Sequence, residues 1–181
     1  MATSGKGQVI VNAPIVPKAT VEIKAFREGA TIPKKATESA AGYDLCACIP
    51  DYTSGMMIHP GNSLIVPTGL NVNIPEGYEI QIRPRSGLAA KHGVTVLNTP
   101  GTIDSDYTGD GEDFELKVIL FNHNRMPFSI NHGDRIAQMV VAKLAEHDLV
   151  EVEEFGSTNK TSRMGGLGST GKWCIQSLRS L

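Results

Sequence analysis

The chain has 181 residues, one domain's length, and 17 Lys plus Arg set against 19 Asp plus Glu leave a formal charge of −2. That balance excludes the basic face of a duplex nucleic-acid binder, and no apolar run approaches the roughly 18 residues of a membrane-spanning helix. At 40 % apolar residues the chain can bury a core, and 19 Gly with 10 Pro point to strands and turns rather than a helical bundle.

Residues 1–19 carry small side chains and two prolines and are expected to form a flexible arm. They show neither the charged and then apolar order of a secretory leader nor the arginines of a transit peptide. From Val21 onward, short apolar stretches alternate with turn signals such as Pro60-Gly61, Pro67-Thr68-Gly69, Pro75-Glu76-Gly77 and His132-Gly133-Asp134. The alternation predicts strands at about 21–26, 43–48, 63–74, 78–83, 94–97, 115–122, 135–143 and 149–155. Only Ser86–His92 reads as helix, with Ser86 in the N-cap position. Many short strands on one core predict an all-β sandwich or barrel of jelly-roll type. After Phe155 the chain turns to Gly, Ser and Thr, so the expected division is a β domain over 20–155 and a flexible C-terminal arm over 156–181.

Cys46, Cys48 and Cys174 are an odd set with no second pair for a zinc site, as expected of reduced thiols in a cytoplasmic protein. The five histidines lack metal-ligand spacing.

Four internal segments and the tail carry chemistry. Gly166-Leu167-Gly168-Ser169-Thr170-Gly171 matches a dinucleotide fingerprint, but the ten residues that follow cannot supply the helix that motif needs. Its backbone N–H groups, with Ser169 and Arg163, can still cradle an anion; a plain flexible linker is the alternative. Arg83-Pro84-Arg85-Ser86-Gly87 places guanidiniums and a hydroxyl where a strand meets the helix, which suits a polyphosphate. The alternative is two surface arginines and a cap. Gly101–Gly109 brings Asp104, Asp106 and Tyr107 into one turn-bounded stretch, where a carboxylate can activate water or merely shape a hairpin. Asp44, after Ala41-Gly42-Tyr43, can hold a hydrated Mg²⁺ or simply be solvated. Gly133-Asp134-Arg135 is expected to contain an ion pair that anchors its turn.

AGYDL (41–45), RPRSGLA (83–89), GTIDSDYTG (101–109), GDRIAQ (133–138) and GGLGSTG (165–171) occur in that order, and together they resemble the five motifs of the trimeric all-β deoxyuridine triphosphatase (dUTPase) family. The resemblance runs over roughly residues 20–171. It implies a distorted, β-clip-like jelly-roll homotrimer with active sites shared between subunits, hydrolysing dUTP to dUMP and pyrophosphate with Mg²⁺. Position by position, it implies that Asp44 holds Mg²⁺ through water and that Arg85, Ser86 and Gly87 contact the α- and β-phosphates. Asn98, Gly101, Thr102 and Ile103 would read uracil, with Lys117 continuing that reading through its main chain. Asp104 would orient and activate the attacking water, Tyr107 would pack under deoxyribose, and Gln138 would face the phosphates. Arg163, Gly166, Leu167, Gly168 and Ser169 would belong to the closing arm.

The chain departs from the family pattern in three places. Leu167 stands where an aromatic usually stacks on the base, Arg163 lies two rather than three residues before the paired glycines, and the 109–115 connection is longer and more acidic, expected as an extended surface hairpin. Two other readings share the fold. A dCTP deaminase would want a base at the pyrimidine C4 edge, and no Glu stands in 98–109. A non-catalytic, nucleotide-sensing or partner-binding trimer, suggested by the altered arm and the extra tail at 172–181, would have no use for a water-activating carboxylate.

Overall fold

The computed structural model describes residues 18–50 and 55–156. In chain order the elements are β1 (Glu22–Ala25), β2 (Tyr43–Cys46), β3 (Met56–Ile58), β4 (Ser63–Pro67), β5 (Leu70–Asn73), β6 (Tyr78–Arg83), α1 (Ser86–His92), β7 (Val94–Val96), β8 (Gly101–Ile103), β9 (Lys117–Asn122), β10 (Phe128–Ile130) and β11 (Arg135–Lys143), with one 3₁₀ turn at Glu112–Phe114. The fold is all-β with one short helix. Its sheets pair as β2-β11-β6-β8, β4-β9-β7, β1-β5 and β3-β10, all antiparallel, and they do not close into a barrel.

Strand periodicity explains the core. In β9, Val118, Leu120 and Asn122 turn inward while Lys117 faces solvent, the two-residue alternation of a half-buried strand. In β11 a register irregularity between Arg135 and Ala137 places Ile136 and Ala137 both inside. Leu45, Ile58, Val66, Leu70, Ile80, Ile82, Leu116 and Ile130 complete a continuous apolar cluster.

The structure corrects several expectations. The predicted strand at 63–74 is two strands, because Gly69 turns the chain at φ +69° while packed against Cys48 Sγ, Arg27 and Ala30. A Cβ there would lie 2.8 Å from that of Ala30, so only glycine fits. Strands β3, β8 and β10 were not predicted; at three residues each they are too short to display a period. Ser86 is the first residue of α1 rather than its cap: Arg85 is the N-cap residue, extended at φ −90°, ψ 129°, and no side chain caps the helix.

Residues up to Glu146 form one compact unit and those from His147 a second. In the described part of the second, 147–156, no strand forms, contrary to the strand expected at 149–155. Leu149 and Phe155 are 93 % and 94 % exposed there. The alternation of LVEVEEF is real, but a strand needs a backbone partner to close its ladder.

Candidate active site

Strand β11 joins two of the predicted segments. Gln138 is in register with Asp44 on one side and Arg83 on the other. Its side-chain amide donates to the Pro84 carbonyl at 2.9 Å, fixing the turn that leads into α1. A Cβ on Gly42 would lie 2.6 Å from Gln138 Oε1, so the glycine of the first motif makes room for the amide of the fourth. Asp44 accepts from Arg85 Nε at 3.0 Å and from Arg135 Nη1 at 3.1 Å, and Arg85 Nη1 also donates to the Arg135 carbonyl. Asp44, Arg85, Ser86, Gly87, Arg135 and Gln138, with Ala36, line a cleft of about 190 Å³.

Two expectations change here. Arg83 turns away and donates to Gln81 Oε1, so Arg85 carries the phosphate-suited charge of its segment. Arg135 pairs with Asp44 rather than within its own turn, where Asp134 instead accepts from the Asn131 N–H at 2.7 Å. Arg135 thus joins the site through a contact across 91 positions of sequence, which no local signal announces. Cys46 and Cys48 are free thiols. Burial, and then the Asp44 charge, push the Cys46 thiol above its ordinary range; burial does the same to Cys48. Both are protonated and unreactive at neutral pH.

The second cluster lies along β8 and the chain after it. Gly101, Thr102 and Ile103 pair with Ile82, Gln81 and Ile80 at the edge of the four-stranded sheet, after a cis Thr99-Pro100 bond. The Asn98 side chain folds over Gly101, where an added Cβ would stand 3.1 Å from Nδ2. Asp104 is exposed, and its carboxylate has no hydrogen bond or ion pair among the described residues. Tyr107 directs its hydroxyl to the carbonyls of Glu115 (3.1 Å) and Asp113 (3.3 Å). Lys117 Nζ donates to the Glu112 carbonyl. The 109–115 segment lies at the surface as expected, but as a 3₁₀ turn rather than a hairpin, and it ends on the buried Glu115, whose carboxylate accepts from the Gly69 N–H at 2.7 Å and pairs with Arg27 at 3.2 Å.

Gly101 pairs with Ile82 and Ile103 with Ile80, so β8 runs along β6 away from its Arg83 end; Asp104 follows the far end of β8, and Arg85 follows the end of β6. Arg163, Gly166, Leu167, Gly168 and Ser169 lie outside the described residues, as does Cys174.

A family model described as dUTPase matches residues 28–171. The chain belongs to the dUTPase family. Its curated relatives include a deoxyuridine 5'-triphosphate nucleotidohydrolase of Beijerinckia indica subsp. indica, 48 % identical over 158 residues, with 87 % of this chain and 94 % of the relative covered. The similar solved structures include two phage dUTPases. The dUTPase of Staphylococcus bacteriophage 80alpha with dUPNHPP is 25 % identical, with 84 % of this chain and 98 % of that chain covered and a TM-score of 0.70. A mutant dUTPase from phage phi11 of S. aureus, described with a structural Mg(II) ion, is 25 % identical, with 76 % and 99 % covered and a TM-score of 0.65.

Within this dUTPase fold, the donor set fits Mg²⁺ in one way only. No group of three or more His, Cys, Asp or Glu among the described residues could cage a metal. Mg²⁺ commonly keeps most of its waters and takes its remaining oxygens from one or two carboxylates and from substrate phosphates. Asp44, a single carboxylate in a cleft beside Arg85 and Ser86, suits that arrangement.

Proposed function

We propose that the protein hydrolyses dUTP to dUMP and pyrophosphate, with Asp104 as the group that activates water. The observation that carries this reading is the exposed Asp104 carboxylate just after β8, which has no hydrogen bond or ion pair among the described residues. A general base must be ionised and able to reach the proton it removes. Asp104 holds a water by accepting its hydrogen bond, and the water oxygen attacks the α-phosphorus. The bond to the bridging oxygen breaks, pyrophosphate leaves, and the released proton passes to Asp104.

The strand β8 edge, with Asn98 laid over Gly101, presents backbone and amide groups to the uracil edge. A site built on such hydrogen bonds discriminates more sharply than an apolar slot. Tyr107 packs under the sugar. Arg85 and the Ser86 hydroxyl bind the phosphates, and Gln138 keeps their turn in place. Asp44 would hold a hydrated Mg²⁺ beside the phosphates, and the ion would supply charge neutralisation there.

The site is assembled from neighbouring copies in a homotrimer, as the family resemblance implies, and its closed three-fold symmetry repeats one junction three times.

Pyrophosphate release measured with dUTP, dCTP, dTTP and UTP tests the assignment. Turnover of dUTP far above that of dCTP, dTTP and UTP is expected, and Asp104→Asn lowers kcat for dUTP by about a hundredfold or more while leaving the oligomer intact. Full activity in that variant, or ammonia released from dCTP, contradicts it.

A further inference from the structure

The lengthened 109–115 segment is the part of the chain that the five motifs leave unexplained, and the structure folds it against Tyr107. The Phe114 ring meets the Tyr107 ring edge-on, with centroids 5.9 Å apart and planes at 61°. It also covers Gly109 so closely that an added Cβ would lie 2.3 Å from Phe114 Cδ2. The residues flanking Phe114 supply the carbonyls that receive the Tyr107 hydroxyl.

The segment is anchored from below. Asn71 on β5, buried, donates through Nδ2 to the carbonyls of Gly111 and Phe114, both at 2.9 Å, and accepts from the Gly111 N–H at 3.0 Å. The Glu115 carboxylate ties the far end to the Gly69 N–H and to Arg27. Tyr107 is therefore held at its hydroxyl and along one ring edge by a segment that is itself fastened to the core.

We infer that Phe114 is a positioning residue that fixes the Tyr107 ring and thereby sharpens the choice of a 2′-deoxyribose over a ribose nucleotide. The inference rests on Tyr107 lying under the sugar, as proposed above. Excluding one hydroxyl requires a wall that does not yield, because a ring free to tilt opens the space it is meant to deny. Phe114 does not itself touch the substrate; it acts through Tyr107.

The experiment compares kcat/KM for dUTP with that for UTP, using the full-length protein. An edge-on aromatic contact corresponds to roughly a three- to tenfold effect. Phe114→Ala is expected to lower the dUTP-over-UTP ratio by that factor, mainly by raising kcat/KM for UTP, and Phe114→Tyr to keep it. Phe114 is 37 % exposed, so its truncation leaves the core intact. Should Phe114→Ala nevertheless misfold, Gly109→Ala displaces the ring without removing it and is expected to lower the ratio similarly. A purely structural role would reduce both substrates alike and leave the ratio unchanged, which overturns the inference. Tyr107→Ala in parallel separates the two failures. If it collapses the ratio while Phe114→Ala and Gly109→Ala do not, only the role of Phe114 is lost. If the ratio survives Tyr107→Ala as well, the sugar-packing role of Tyr107 is lost with it.

Discussion

Asp44 faces two guanidiniums at 3.0 and 3.1 Å, and the charge of Arg85 is held in place by that carboxylate before any phosphate arrives. Removing the anion while keeping the shape leaves Arg85 and Arg135 without their shared acceptor. Asp44→Asn is expected to lower kcat/KM for dUTP by roughly tenfold to a hundredfold, the cost of stripping a charged partner from a half-buried pair. It should also raise the Mg²⁺ concentration needed for half-maximal rate. A steady-state Mg²⁺ titration of parent and variant checks both. The chemistry of this residue was legible in the sequence, because Asp44 and Arg85 stand in segments of recognisable type. Their contact with Arg135 was not, since a pairing between positions 44 and 135 arises only when β2 is laid beside β11. Phe114 and Asn71 carried no signal at all: one looks like a stray aromatic in an acidic loop, and the other like a polar residue on an ordinary strand.

Single elements followed local pattern where they were long enough to show one. Strands β6, β9 and β11 are six or more residues long and fall close to where periodicity predicts them. Polar residues inside these strands are the exceptions that have to be satisfied by tertiary contacts. Asn122, at the end of β9, is fully buried; its Nδ2 donates to the Ile58 and Met126 carbonyls at 2.9 and 2.8 Å, and its Oδ1 accepts from the Asn124 N–H at 2.8 Å. Asn122→Ala removes all three bonds and strands the backbone groups of two connections. The expected loss is about 2–3 kcal/mol of stability, read as a lowered thermal midpoint at fixed protein concentration. An unchanged midpoint would mean that the 58–62 and 124–126 turns hold themselves.

At the scale of the molecule, Asp104 follows the end of β8 that pairs near the start of β6, and Arg85 follows the end of β6. On the proposed reading the two meet only between neighbouring copies, so variants disabled at each position complement one another. Asp104→Asn and Arg85→Ala, each inactive alone, are expected to recover about a quarter of parental activity when unfolded and refolded together as equal mixtures, the share of random junctions that pair two intact halves. A mixture as inactive as its components would place both clusters in one chain's site. Residues 149–155 belong to the same scale, because their apolar side chains have alternation but no ladder partner among the described residues.

Residue types and their order were sufficient by themselves to establish an all-β chain and its family, and they single out side chains suited to phosphate, water and base. These depend on local period and on short motifs, which neighbours in sequence determine. Only the folded chain decided that Arg135 completes the Asp44 pair, that the 109–115 segment receives the Tyr107 hydroxyl and packs Phe114 on its ring, and that β8 lies along Ile80–Ile82 of β6. Each of those facts depends on how strands far apart in sequence lie side by side, and sheet register is a property of the whole core rather than of any stretch within it.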